Sequence, residues 1–286
     1  MRYRFIMEHA GEYPIRVMCR VLQVAASGYY AWRQRPHCRR YEDDEKVCPL
    51  IRQTFDQSHG TYGSPRITAE LRFSGYQINE KRVARLMQMM GLAATAPRRF
   101  VVTTDSDHDG PIAPDLIQQD FVAESPNRKW VSDITYIPTS AGWLYLCVVI
   151  DLWSRRVVGW SCSDSLATDL VLGATRMALL ERGPAAGCIF HSDRGCQYAS
   201  AEFRDLLRDR GLVQSMSRKG CCYDNAVAES FFHSLKIDWV HRRTFANHEE
   251  AQQALFVYLA VFYNRTRRHS TLGYLSPMSF EQQAVA

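Results

Sequence analysis

Residues 129–162, KWVSDITYIPTSAGWLYLCVVIDLWSRRVVGWSC, decide the fold. Trp130 to Ile137 is rich in β-branched and aromatic residues, Pro138 to Gly142 has turn composition, Trp143 to Ile150 is a nearly continuous apolar run, and Arg156 to Cys162 returns to strand texture. Three strands joined this closely predict an antiparallel meander. The period then changes. Asp169 to Glu181 sets Leu170, Val171, Ala174, Met177 and Ala178 at helical spacing, Gly187 to Phe190 predicts a fourth strand, Ser200 to Arg210 a helix and Leu212 to Met216 a fifth strand. Helices follow from about Asn225 and from about His248. The order β-β-β-α-β-α-β-α gives the α/β class, with a mixed five-stranded sheet flanked by helices.

The first hundred residues have no strand-like alternation. Val17, Val21, Leu22 and Val24 predict a helix, Ser27-Gly28 a turn, and Tyr29, Tyr30 and Trp32 a second helix. Ser64 before Pro65 predicts an N-cap with proline at the first helical position, opening a helix to Gly75. The next helix starts at Asn79 and stops at Gly91; Val83, Leu86, Met87 and Met90 share one stripe, which leaves Lys81, Arg82 and Arg85 on the outward face. Two short helices about a tight turn, the second basic on its free face, form a helix-turn-helix pattern, although such pairs also serve as plain packing units. Ala93 to about Pro111 changes composition, so the chain divides into a helical region at 1–92, a linker at 93–124 and a core at 125–286.

Composition narrows the function classes. The net charge of +5 is uneven: residues 1–100 carry 17 basic against 9 acidic side chains, the remainder 18 against 21. A basic helical third points to nucleic acid, and an Arg-rich soluble surface is the plainer alternative. Nine cysteines without a Cys-x-x-Cys pair argue against a disulfide framework and a ribbon-type zinc site. The N-terminal residues lack a signal-peptide core, and the longest apolar run, Ala254 to Tyr263, is about half a bilayer span, so a reduced, cytoplasmic setting with no membrane partner is expected.

Three carboxylates occupy positions where chemistry is expected. Asp133 lies inside the first strand, where an acid is costly unless paired; Asp193, in HSDRGCQY (191–198), lies at the tip of the fourth strand; Glu229 lies on the helix face Ala226, Glu229, His233, Lys236. Brought to one sheet edge, three acids demand a divalent cation, and hard oxygen donors favour Mg²⁺ or Mn²⁺. Such a site suits in-line phosphoryl displacement. The pattern alone leaves Asp193-Arg194-Gly195 open as a strand-to-turn junction and Glu229 as a solvated helix residue. Asp151, at a strand end before Ser154-Arg155, competes for a site role or pairs with an arginine.

The segments WVSDITYIPTSAGWLYLCVVIDLWSRRVVGWS, FHSDRGCQYAS and GCCYDNAVAESFFHSLK resemble the catalytic core of B-frame-type bacterial insertion-sequence transposases, relatives of retroviral integrases with a ribonuclease H-like fold. The resemblance begins with VLQVAASGYYAW, continues through TYGSPRITAELRFSGYQINEKRVARLMQMMGL, which is similar to that family's helix-turn-helix region, and ends with YNRTRRHSTLGYLSPMSF. Between Asp193 and Glu229 lie 35 residues, the interval of the family's Asp-Asp-35-Glu signature. The resemblance therefore implies that Asp133, Asp193 and Glu229 are catalytic and metal-binding, that Lys236 touches terminal DNA, and that Arg66, Lys81, Arg82 and Arg85 belong to the DNA-contacting helices. It further implies cleavage at element ends and strand transfer, a homo-oligomer on DNA in the bacterial nucleoid, and an A-frame protein, separate or fused, as partner. Departures are slight: Cys221-Cys222 replaces small or polar residues and Asp238 stands where glutamate is common. Two other classes fit parts of the pattern, a DNA-binding regulator with an idle core and a simple nuclease of the same fold.

Overall fold

The computed structural model describes residues 2–34, 39–94, 110–218 and 222–285. Helices α1 (Arg2–Glu8), α2 (Ile15–Val21) and α3 (Ala26–Gln34) close around Ile6, Met18, Cys19 and Tyr29 as a small apolar cluster of their own. The expected turn at Ser27-Gly28 falls inside α3; the chain instead reverses at Gln23, whose φ is +51°. Helix α4 (Arg39–Gln57) was hidden in the sequence by its polar composition and the acidic run at 42–45. Helix α5 (Ser64–Phe73) takes Gly63 as its N-cap, not Ser64, because Ser64 is already helical and its carbonyl accepts the Thr68 hydroxyl at 2.7 Å. Asn79 caps α6 (Glu80–Met89) by accepting the Lys81 amide at 2.9 Å, and Gly91 follows the helix at φ +66°.

Helices α4 to α6 do not hang free of the core. Ile51, Tyr62, Ile67, Leu71, Leu86 and Met87 lie in one buried cluster with residues of the sheet and its helices. Tyr62 donates to the Thr266 carbonyl and accepts the Arg268 amide at 2.7 Å, and Arg268 pairs with Glu70 at 2.6 Å. Of the stretch expected as a linker, residues 95–109 lie outside the described residues. Beyond them Ile117 is buried in the shared core and the Leu116 amide donates to Ser215.

Strands β1 (Lys129–Thr139), β2 (Gly142–Asp151), β3 (Val157–Ser163), β4 (Ile189–Ser192) and β5 (Val213–Met216) form one sheet ordered β3-β2-β1-β4-β5. The meander is antiparallel, and β4 and β5 are parallel to β1, as the order of elements requires. Alternation along β1 and β2 splits the core into two layers. Trp130, Cys147 and Val149 face α7 (Thr168–Arg182), α8 (Cys196–Ala199) and α9 (Ala201–Asp209). Val131, Leu146, Val148 and Ile150 face α10 (Ala226–Asp238) and α11 (His248–Phe256), which continues as a π-helical segment over Val257–Tyr263. Helix and sheet meet tightly at Gly159, where an added Cβ would lie 2.2 Å from the Ala174 carbonyl. Helix α12 (Pro277–Val285) is pinned through Glu281, which accepts from Arg182, Arg156 and Ser154.

Candidate active site

The sheet register brings the first two acids together. Strand β4 pairs with β1 only over Lys129↔Ile189, Trp130↔Phe190 and Val131↔His191. Two residues further along the same register stand Asp133 and Asp193, where the strands part and parallel neighbours are about 4.8 Å between backbones. Asp133 shares the Val131 side of β1, the side covered by α10. Helix α10 carries Glu229 toward that crevice.

Electrostatics report the crowding. Asp133 is pushed well above the usual carboxylate range by burial, then by the charge of Asp193 and, less, by that of Glu229; its own next amide, Ile134 N–H, and Lys236 pull the other way. Glu229 is raised by burial. Asp193 accepts the Gly195 amide at 3.0 Å, which fixes its side chain over the strand-to-helix turn. Asp133 and Asp193 line one cavity of about 570 Å³ with Tyr136, Trp143, Cys196 and Gln197. Glu229 stands outside that lining, and among the described residues no three His, Cys, Asp or Glu side chains are gathered tightly enough to cage a cation. The donor set is therefore two adjacent carboxylates on strands with a third at longer range on a helix. Hard anionic oxygens that repel one another suit a hard divalent cation.

Lys236 follows Glu229 on α10, and its ammonium lies 5.0 Å from the centre of the Tyr136 ring. Burial lowers its pKa and the Asp133 charge opposes that shift. Tyr136 packs edge-on to Trp143 at 5.0 Å, and Trp143 is half exposed at the cavity mouth. Sequence reading missed this aromatic wall, because both rings looked like ordinary strand residues.

The start of α10 is anchored by groups that the sequence reading did not single out. Asp224 is fully buried and accepts from Arg218 side-chain and backbone nitrogens and from Gln119. The His191 Nε2–H donates to the Asp224 carbonyl at 2.9 Å while Nδ1 accepts from Ser215, and the Asn225 amide reaches the Ser132 carbonyl. These bonds tie the Glu229 helix to the two strands that carry the aspartates. A signal was present in the run Tyr223-Asp224-Asn225, polar residues directly before an apolar helix. Cys221 lies outside the described residues. Asp151 takes the structural alternative: it is fully buried and accepts from the Asn127 and Trp153 amides and from Arg182, not from Arg155 or Arg156.

The basic residues predicted for α5 and α6 have different surroundings. Lys81 is exposed. Arg82 and Arg85 do not present free guanidinium groups outward as expected: both clamp Asp44 of α4, Arg82 at 2.7 Å, because α4 covers the face that two helices alone would leave open. Burial would raise the Asp44 carboxyl, but the two arginines win and hold it below the usual range. Arg66 donates to the Arg268 carbonyl at 3.0 Å and lies 5.8 Å from the Tyr62 ring centre.

Comparison with known proteins fits this geometry. The Integrase core domain family matches residues 123–222, a second Integrase core domain family matches 229–285, and an HTH-like domain family matches 42–100. Transposase InsF for insertion sequence IS3A of Escherichia coli (strain K12) is 46% identical over 288 residues, covering 100% of both chains. The chain belongs to that insertion-sequence transposase family. The transposase is also 40% identical over 266 residues to the Insertion element IS600 uncharacterized 31 kDa protein of Shigella sonnei, covering 93% of this chain and 98% of that one. Among solved structures, it is similar to a chain of the simian T-cell lymphotropic virus intasome in complex with PP2A regulatory subunit B56 gamma, at TM-score 0.48 and 14% identity over 80% of this chain and 73% of that one. The HTLV-2 integrase catalytic core domain in complex with magnesium (trimeric form) gives TM-score 0.44 and 16% identity over 55% and 98%. The transposase thus has an integrase-type core, a polynucleotidyl transferase fold, with an HTH-like helical region before it. No described helix is long and apolar enough to cross a membrane.

Proposed function

We propose that Asp133, Asp193 and Glu229 form the catalytic site at which this transposase cuts the phosphodiester at the ends of its element and joins the freed 3′ end to target DNA. The observation that carries the reading is the position of Asp133 and Asp193, each two residues past the last paired residues of β1 and β4 and lining one cavity, with the Asp133 carboxyl raised by burial and by its neighbours' charge. Asp133 and Asp193 would hold a divalent cation, Mg²⁺ or Mn²⁺, and Glu229 would complete its shell from α10. When bound, that cation supplies Lewis acidity for in-line phosphoryl displacement. Lys236, half-buried beside Tyr136, is placed to grip a phosphate entering the crevice, and Trp143 to stack on an unpaired base. Residues 1–92, with the exposed Lys81 and with Arg66, serve DNA recognition in this reading, Arg82 and Arg85 bracing α6 through Asp44, and 125–286 the chemistry. The protein works in the cytoplasm at the nucleoid, as a homo-oligomer on DNA, with an A-frame protein or fusion.

The test is cleavage and joining of labelled element-end DNA by the A-frame-fused chain in Mg²⁺ or Ca²⁺. Joined products in Mg²⁺, absent in Ca²⁺ and in Glu229→Gln, are expected. Tight binding without nicking by the wild type would overturn the reading in favour of an idle regulator, and nicking without joining in favour of a nuclease.

A further inference from the structure

On the flank of α10 turned away from Glu229 lies a second cavity, of about 260 Å³, between α5, the β2–β3 turn, α10 and the segment after the π-helical stretch. Arg66, Arg155, Arg267 and His269 line it, with the hydroxyls of Ser230 and Ser234 on one helical row. Its charges do not balance. Asp238 is engaged by Arg267 at 2.8 Å, and nearby Asp151 is engaged by Arg182 and two backbone amides. Among the described residues Arg66 and Arg155 have no carboxylate within salt-bridge distance. Arg155 spends one nitrogen on the Phe121 carbonyl, and its Nη1 is buried without a partner; so is His269 Nε2. Clustered, partly desolvated guanidinium groups with idle donors are costly unless an anion is taken up.

We infer that this cavity is a second phosphate site, taking one phosphate group of the DNA backbone on the opposite flank of the helix that carries Glu229. Guanidinium forks and serine hydroxyls match a tetrahedral oxyanion, and the cavity is too small for a paired duplex step. Arg66 comes from α5 and Arg155 from the β2–β3 turn, so a bound phosphate would bridge the HTH-like helices to the core. The inference rests on the transposase acting on DNA, and not on which acids cut it.

Three measurements test it on the full chain: DNA affinity by fluorescence anisotropy across a salt series, melting temperature in inorganic phosphate against chloride at equal ionic strength, and Mg²⁺-dependent end cleavage by the wild type. The variants are Arg155→Gln, which removes a donor, and Ser234→Asp, which puts a carboxylate in the anion's place. Each variant is expected to lose about tenfold in DNA affinity and to flatten the log–log salt slope by about one. Phosphate should raise the melting temperature of the wild type and not of Ser234→Asp, which should melt above the wild type in chloride. Unchanged affinity and slope in both folded variants overturn the inference. Phosphate stabilisation with unchanged DNA affinity also overturns it, and assigns the cavity to free phosphate. Cleaving wild type beside such variants leaves the catalytic reading standing; a wild type that binds but never cleaves counts against that reading alone.

Discussion

Asp133 is an acid in the interior of a central strand, and what keeps it there is visible one residue at a time. Its neighbour amide and Lys236 moderate a carboxyl that burial and Asp193 push upward. Replacing Asp193 by Asn removes the strongest like charge. Asp193→Asn should abolish cleavage yet leave the melting temperature equal to or above that of the wild type, because repulsion is relieved while the amide oxygen still accepts the Gly195 N–H; a marked fall in melting temperature would mean that the aspartate is structural. Lys236 answers to the same site. Lys236→Met keeps the stem against Tyr136 and loses the charge, so terminal DNA affinity should fall several-fold while stability holds, as anisotropy and calorimetry on one preparation would show. The sequence singled out the three acids and the lysine because few residue types can hold a hard cation or a phosphate, and the fold sets Asp133 and Asp193 in one cavity. Asp224 and His191 were not, since their role depends on hydrogen bonds between chain segments 33 residues apart.

At the scale of elements, two joints decide how firmly the site is held. Gly159 lets α7 lie on β3, and Gly159→Ala would drive a methyl group into the Ala174 carbonyl and the Ala178 backbone. Denaturant unfolding should show a loss of about 1–3 kcal/mol. The second joint is Glu281, through which α12 is fastened to Arg182 and Arg156. Glu281→Gln would remove one of the two carboxylates that each guanidinium holds, leaving Arg182 with Asp151 and Arg156 with Glu181, and should cost about 1.5–3 kcal/mol, read in the same way. The strands were legible: every predicted strand is present, and none of their ends moves by more than two residues. Helix α4 was not, because its core contacts come from a few apolar positions in a strongly charged stretch, and with it went the fate of Arg82 and Arg85. A sequence shows that a basic face exists and not which acid will cover it.

For the whole molecule, acid should loosen the join between the HTH-like helices and the core. His269, edge-on to Tyr263, is held well below the ordinary histidine range by burial and then by Arg267, Arg66 and Arg155. A base whose folded pKa is depressed is neutral in the native state and takes up a proton on unfolding below its ordinary value near 6.5. Its contribution is complete above that pH and shrinks as pH falls beneath it. Stability should therefore decline on acidification below about pH 6.5, with His269 responsible for up to about 1.4 kcal/mol per pH unit. His191, lowered by burial, adds in the same sense. In His269→Gln the decline should be shallower by that amount in urea titrations between pH 5 and 6.5; an equal slope would place the acid sensitivity elsewhere. The split into a helical region and a core was readable from composition, whereas their shared hydrophobic core was not, since packing partners far apart in sequence leave no local trace.

Because Asp133 and Asp193 are set side by side by strand pairing, the length of chain between them is not what fixes their separation. Residues 184–186, a surface connection between α7 and β4, can then lengthen without disturbing the chemistry, so a short peptide tag or a fluorophore-bearing cassette inserted there should yield an active, trackable enzyme. An insertion between Ser192 and Gly195 has no such freedom, since Ser192 is paired in β4 and Asp193 holds the Gly195 amide. A library of random insertions across the gene would draw that contrast as one permissive gap beside one forbidden one.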